Sequence, residues 1–597
     1  MAFDGIVTKS IASELQQLTG ARIDKIFQPD KNTIILGFYK NGKNYALNIC
    51  IDSQNYRIHL TTHSKANPKV APNFCMVLRK HLIGLHIKNF ITNNLERLII
   101  IEFEGLDEID DIISKKLIIE LMGKHCNIVL LDDCNIIIDS LRHIIPNDNS
   151  NRNVVPHIKY SFPTTNKYNF LAIKDFHDFK EKLFEVYSQS QSSILSDKIT
   201  IDVDSLSSLI SNTFNGISKN FIKYSIEKLN IFDFDIKTLE IIYNYIKEII
   251  NRTDSLNLNF EDTLDNKNNK RDYILVPNKS LNDSFHLNFY IDDFYFAKES
   301  SENFKIYRNS VLKLILNVLK KYNKRLSNIN EKIQTCDNMD IYKLYGELIT
   351  ANLYKIKDSN ENIDKIELEN YYDNNKLITI PLDKKYSPAI NAKRYFKKYN
   401  KLKNTLEIVS IQKEETIKEL NYIESIVYEL ENCSSIEEIS DIFEEISENV
   451  IFKEKTDNYK KKKYIKVKKS NLTKNKNVSF NPIKYNLDGF ILLVGRNNKE
   501  NDYLTLKYAK KNDLWFHTKN IHGSHAVLLL SHNISSNLSK ETLIKCAQIT
   551  AYHSKAKNSS NVLVDYCEIK YVKKPKGAKP GMVIYSNNKT LNVNPKK

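Results

Sequence analysis

The spacing of apolar residues along the chain changes repeatedly, and each change announces a different kind of element. The stretch TKSIASELQQLT, near 8–19, carries helical spacing. Two apolar runs follow, TIILGFY and YALNICI, on either side of Lys40-Asn41-Gly42-Lys43. Asn-Gly supplies the positive φ angles of a two-residue turn, so these runs are predicted to pair as a hairpin. RLIIIEF, KKLIIEL, NIVLLDD and NIIIDSL predict further strands, and FCMVLRKHL predicts a helix within 70–84. Residues 1–168 therefore read as one β-rich domain.

Helical spacing takes over from 170 to 250, broken at Phe214-Asn215-Gly216-Ile217-Ser218. Such a break fits a helix-hairpin-helix, whose exposed amides can hold a nucleic-acid backbone, and it fits an ordinary helix–helix turn equally well. The polar stretch 252–272 reads as a loop, and YILVP and FHLNFYI read as short strands that complete a region spanning 169–300. From 304 a heptad seam runs through Leu312, Ile315, Leu319, Tyr322, Leu326, Ile329 and Ile333. A returning arm carries Leu402, Leu406, Val409, Leu420, Ile423, Val427 and Leu430, with polar Lys413 and Thr416 at two seam positions. Two arms of similar length around a compact 340–390 tip predict one long antiparallel coiled-coil hairpin over 301–435. The segment 436–478 joins an acidic helix to a basic linker, since 453–476 holds eleven lysines against Glu454 and Asp457. Finally 479–597 alternates strands such as FILLVGR, LWFHT and HAVLLL with a helix near 539–555, a small α+β domain. The whole is an α+β multidomain chain.

Composition narrows the function classes. At 597 residues, with 41% hydrophobic and 10% aromatic residues, the chain can fill several cores. Its net charge of +16 favours a polyanionic partner, although a lysine-rich solvated surface gives the same number. The eight cysteines lack any CxxC pair or zinc spacing and read as free thiols; no cofactor or metal is expected. The MAFDGIVTKS start has no signal-peptide pattern, and no apolar run reaches the ~20 residues of a membrane span, so a cytoplasmic protein with no membrane partner is expected. Neither a Walker-type phosphate loop nor a nucleophile elbow occurs, which points away from an enzyme.

Candidate chemistry is densest near the C-terminus, in VGRNNKENDYLTLKYAKKNDLWFHTKNIHGSH. Arg496 and Asn497 follow a strand directly, and Asn501 or Asp502 is placed to cap a helix ending near Lys511. Trp515 and His517 share one strand face, beside Lys511 and Asp513. Aromatic and cationic groups together suit stacking on bases and holding phosphates; the competing reading puts Trp515 in the core and makes the polar groups turns and caps.

These motifs resemble a known family. DGFILLVGRNNKENDYLTLKYAKKNDLWFHTKNIHGSH, with GAKPGMVIYSNNKTLNV downstream, looks like the RNA-binding C-terminal domain of the fibronectin-binding-protein-A-like, or NFACT, family. Further landmarks occur in order: MAFDG, FCMVLRKHL, NLERLIIIEF, ELMGKHCNIVLLD, FNGIS, GELITANLY and NAKRYFKKYNKLK. The resemblance implies a protein that binds the large ribosomal subunit while peptidyl-tRNA and rRNA are in place. It also implies recruitment of tRNA, alanyl in bacterial members, to add C-terminal tails that mark nascent chains for degradation. The N-terminal domain would be similar to DNA-glycosylase N-terminal domains. Residues 2 and 3 are Ala2-Phe3, so no N-terminal Pro-Glu pair is present for glycosylase chemistry. The family's Asp-Arg pair falls on Glu96-Arg97, with Glu in place of Asp, and its opening acid on Asp4. Arg79 and Lys80, and Lys124 and His125, are implied as RNA-backbone contacts. The alternative carried by the family's older name is a surface fibronectin-binding adhesin.

Overall fold

A computed structural model describes residues 3–106, 111–146, 152–190, 202–231, 235–265, 270–278, 285–356, 363–449, 480–530 and 538–597. The chain divides into two compact units, Met1–Ser300 and Ser301–Lys597.

In the first unit, helix α1 (Gly5–Leu15) precedes an antiparallel sheet of nine strands. They are β1 (Arg22–Asp30), β2 (Thr33–Lys40), β3 (Lys43–Cys50), β4 (Arg57–Leu60), β5 (His86–Thr92), β6 (Leu98–Leu106), β7 (Ile112–Glu120), β8 (Asn127–Leu131) and β9 (Ile137–Ser140). The order is β4-β3-β2-β1-β5-β6-β7-β8-β9. The Asn-Gly hairpin is present: Lys40 pairs with Lys43, and Asn41 and Gly42 take φ of 47° and 76°. One hydrophobic core draws on both halves of the sheet, Ile34, Leu47 and Ile58 packing with Ile99, Leu117 and Ile128. The two halves thus fold over one another. Arg142 ties them, donating to Cys126 O at 3.2 Å in one half and to Ile51 O at 3.1 Å in the other.

Helix α2 (Asn73–Leu82) packs on β1. Helices α3 (Phe176–Ser190), α4 (Val203–Thr213), α5 (Lys219–Lys228) and α6 (Ile236–Arg252) follow, as helical spacing predicts. The stretch read as a polar loop instead contributes a strand, β10 (Leu258–Asp265), paired with β11 (Lys270–Pro277). FHLNFYI is not a strand either; it opens helix α7 (His286–Cys336). Its buried residues Leu287, Ile291 and Tyr295 recur every four positions. The buried Glu14 carboxylate caps this helix from across the fold, accepting from Leu287 N at 3.1 Å and Asn288 N at 2.8 Å.

The second unit holds α8 (Met339–Ala351), α9 (Leu353–Ile356), the ribbon β12 (Lys365–Asn370) and β13 (Lys376–Pro381), and the 45-residue helix α10 (Pro388–Asn432). Helix α11 (Ile436–Glu448) ends this helical part. Within one chain Val311, Ile315 and Val318 pack with Ile423, Ile426 and Leu430, so the two long arms do lie against each other. The buried stripe is wider than the predicted seam because Ile439, Ile442 and Ile446 of α11 join it as a third helix. Thr416 sits buried in its seam position and donates its hydroxyl to Gln412 O, which satisfies it there. The lysine-rich 453–476 stretch lies outside the described residues.

The C-terminal domain is built on β14 (Ile483–Leu487), β15 (Phe490–Val494), β16 (Leu514–Thr518), β17 (Ala526–Leu529) and β18 (Val562–Glu568), with α12 (Asn498–Tyr503) and α13 (Lys540–Tyr552). A short β19 (Val572–Lys573) pairs with β20 (Ile584–Tyr585), and β21 (Lys589–Val593) closes a six-stranded sheet in the order β14-β15-β17-β16-β18-β21.

Candidate nucleic-acid interface

Three short segments converge at one end of the first unit's sheet. Asp4 caps α1, its carboxylate accepting from Val7 N at 3.0 Å. Gly5 N donates to Gly216 O at 2.9 Å, which joins the FDG start to the FNGIS turn between α4 and α5. Both glycines press on Leu95 O: a Cβ would lie 1.9 Å from it at Gly5 and 2.0 Å at Gly216. Gly216 also holds φ at +78°, a conformation open to glycine. The FNGIS turn is therefore used for packing, and Asn215 N is taken by Tyr168 O at 2.9 Å.

Leu95 opens the corner that carries Glu96 and Arg97 into β6. Glu96 accepts from Asn93 Nδ2 at 3.0 Å, and burial raises its carboxyl, with that hydrogen bond opposing. Arg97 Nη1 donates to the Tyr56 hydroxyl at 2.8 Å, and its guanidinium carbon lies 5.8 Å from the Tyr56 ring centre. Tyr56 is buried, at 2% exposure, immediately before β4. Burial raises the Asp4 carboxyl, opposed by the Ser218 hydroxyl, the Val7 amide and the Arg97 charge. The next corner, between β7 and β8, is held to this one by Leu121 N donating to Arg97 O at 2.8 Å. It exposes Lys124 and His125 on one tight turn. Beneath them the Cys126 thiol is buried and pushed up to about 11, within the fields of Arg142 and Arg97. Lys167 adds another cation: burial and the Arg97 charge both lower its ammonium, and its Nζ donates to Ser211 O at 2.6 Å.

Asp4, Glu96 and Arg97 are thus gathered at one place, and Lys124 and His125 stand on the neighbouring corner tied to it. Arg79 and Lys80 belong to α2. Arg79 Nε donates to Ile26 O at 2.8 Å, fastening that helix to β1, while Lys80 is exposed. Tyr56, Lys167 and Ser218 escaped the sequence reading. Ser218 lay inside a motif already noted; Tyr56 and Lys167 carry no local signal.

In the C-terminal domain most of the expected RNA-binding residues are engaged within the protein. Arg496 Nη1 donates to Glu438 Oε1 of α11 at 3.1 Å. Asn497 is the cap of α12, accepting from Glu500 N at 2.8 Å; Asn501 and Asp502, read as caps, lie inside that helix. Asp513 is buried and accepts from Lys510 N at 2.8 Å and Leu530 N at 2.9 Å. Trp515 is 0% exposed, so it is a core residue and no platform for a base. Its ring stacks on His517 at 5.7 Å and meets the edge of His525 at 5.3 Å. Burial lowers the His517 imidazole to about 4 and that of His525 to about 3. Of this group Lys511 alone is exposed.

Residues 4–465 match the family model for NFACT N-terminal and middle domains, and residues 476–587 match the NFACT protein RNA binding domain. The chain belongs to the NFACT family. Over its whole length it is 33% identical to the Rqc2 homolog RqcH of Bacillus subtilis (strain 168), covering 98% of that protein. The Rqc2 homolog RqcH of Streptococcus suis (strain 05ZYH33) is 32% identical over 100% of this chain and 98% of its own. A solved structure, the fibrinogen binding protein from Staphylococcus aureus, is 29% identical over 49% of this chain and 99% of its own, with a TM-score of 0.39. The NFACT N-terminal match contains the Arg97 cluster, and the RNA-binding match contains Lys511 and the buried Trp515. No described helix is long and apolar enough to cross a membrane.

Proposed function

We propose that this NFACT protein is a cytoplasmic ribosome quality control factor. It binds large ribosomal subunits that still hold peptidyl-tRNA, contacts rRNA, and recruits tRNA, alanyl in the bacterial pattern, so that stalled chains gain C-terminal tails. It is not an enzyme in this reading: the ribosome makes the peptide bonds and the protein positions the tRNA. The glycosylase-like N-terminal domain grips tRNA, the helix-hairpin-helix supports it, and the coiled-coil hairpin reaches across the subunit.

The observation that carries the reading is the Arg97 guanidinium, held by Tyr56 on a corner whose backbone is tied by Leu121 N to the turn exposing Lys124 and His125. A guanidinium matches phosphate oxygens with paired N–H donors, and nearby cations add charge that releases counterions from RNA. Full-length similarity to two RqcH proteins, an RNA-binding domain match and a net charge of +16 support the same reading.

Sucrose-gradient sedimentation of cell extracts tests it. The protein should travel with large subunits and leave them as salt rises. Migration as free protein even when ribosomes are stalled would contradict the proposal, and recovery in the envelope fraction would favour the adhesin reading.

A further inference from the structure

Tyr56 cannot reach a ligand, yet it touches the residue assigned to grip one. Its ring is buried at 2% exposure, and its hydroxyl accepts from Arg97 Nη1 at 2.8 Å. In sheet order β4 lies at one edge and β6 five strands along, so this contact exists only because the sheet folds over. The neighbouring Arg57 anchors the Tyr56 backbone: it is buried, donates to Asn55 O at 2.7 Å and to His59 Nε2 at 3.2 Å, and pairs with Glu299. Tyr56 is therefore a fixed point, while Arg97 is a long side chain of several rotatable bonds at the surface. Burial raises the Tyr56 hydroxyl, opposed by the Arg97 charge and hydrogen bond, with smaller contributions from Cys126 and Asp4.

We propose that Tyr56 is a positioning residue: its hydroxyl fixes the Arg97 guanidinium in the orientation that receives an RNA phosphate, and so sets tRNA affinity without touching the RNA. This rests on the assignment of Arg97 to tRNA binding made above. Ordering a rotamer-rich side chain at an interface costs about 0.5–1.5 kcal/mol, and a side chain already held has met that cost before the ligand arrives. Phenylalanine keeps the buried ring and removes the hydroxyl.

Four full-length proteins decide the matter: native, Tyr56→Phe, Arg97→Ala and the double variant. Each is titrated with purified tRNA and sedimented with large subunits. Tyr56→Phe should weaken tRNA binding about two- to tenfold, the fold-change corresponding to that ordering cost. In the Arg97→Ala background the same substitution should change nothing, because the group it positions is gone. Large-subunit sedimentation should stay native in the Tyr56→Phe protein. A purely structural tyrosine would weaken tRNA binding by the same factor in both backgrounds, and that result overturns the proposal. Native affinity in the Tyr56→Phe protein, with Arg97→Ala impaired, also overturns it and leaves the Arg97 assignment standing. Native affinity in Arg97→Ala removes the assignment and the proposal together.

Discussion

Gly5 and Gly216, more than two hundred residues apart, are joined by a 2.9 Å hydrogen bond and both abut the carbonyl oxygen of Leu95. The corner bearing Arg97 is thus seated on two glycines, and neither position has room for a methyl group. Gly216→Ala adds backbone strain at φ +78° to a Cβ clash with Leu95 O. We expect it to destabilise the first unit by about 3 kcal/mol or more, read as a lowered thermal midpoint. A midpoint within a degree of native would show that the corner adjusts freely.

Arg79 and Lys80, neighbours on α2, differ in what they hold. Arg79 Nε donates to Ile26 O at 2.8 Å, so Arg79→Ala should lower urea stability by about 1–3 kcal/mol. Lys80→Ala, on the exposed face of the same helix, should leave stability within about 0.5 kcal/mol of native. Equal losses in the two variants would contradict this division.

Two buried carboxylates meet where the helical part of the second unit packs on its C-terminal domain. Glu445 accepts from the Tyr422 hydroxyl at 2.8 Å, while Glu429 Oε2 is buried with no hydrogen-bond partner among the described residues. Burial, and then repulsion from Glu445, raise the Glu429 carboxyl well above its ordinary value of 4.5. The folded protein then holds a proton that the unfolded chain gives up near pH 4.5. Stability from this group is present at acid pH and falls as pH climbs toward the folded-state value. Glu429→Gln should raise the thermal midpoint at pH 8 by about 2–4 °C and flatten its dependence on pH above 5. An unchanged slope in that range would remove Glu429 as its source.

The buried imidazoles act with the opposite sign. Burial lowers His525 to about 3 and His517 and His553 to about 4, so the unfolded chain takes up protons first. The C-terminal domain should lose stability as pH falls from about 6.5 toward 4. Resonances assigned to His517, His525 and His553 that titrate near 6.5 in the folded protein would disprove it.

The strands around Arg97 were legible because each buries at least one face, so apolar runs bounded by turn residues mark them. Asn41-Gly42 fixed its hairpin through backbone angles alone. FHLNFYI misled because its aromatic and branched residues suit a strand, while the cap that starts α7 there, Glu14, is remote in sequence. The stretch before Asp265 looked like a loop because polar residues alternate with Leu258 and Phe260, which join the core. The heptad seam was displaced at its base since the third helix, α11, adds a buried stripe that two-helix spacing does not foresee. Arg97 could be singled out by family resemblance. Tyr56 could not, because only the folding of the sheet brings its edge strand to that corner.

The most direct test of the account is to sequence the RNA that co-purifies with the tagged full-length protein from cells, beside a Glu96→Ala/Arg97→Ala variant. Neither side chain is part of the core, so the variant should fold with a thermal midpoint near native. The native protein should carry tRNA together with rRNA of the large subunit. The variant should keep the rRNA, which the proposal assigns to other surfaces as well, and lose the tRNA. Equal tRNA enrichment in the variant and the native protein would contradict the account at its centre.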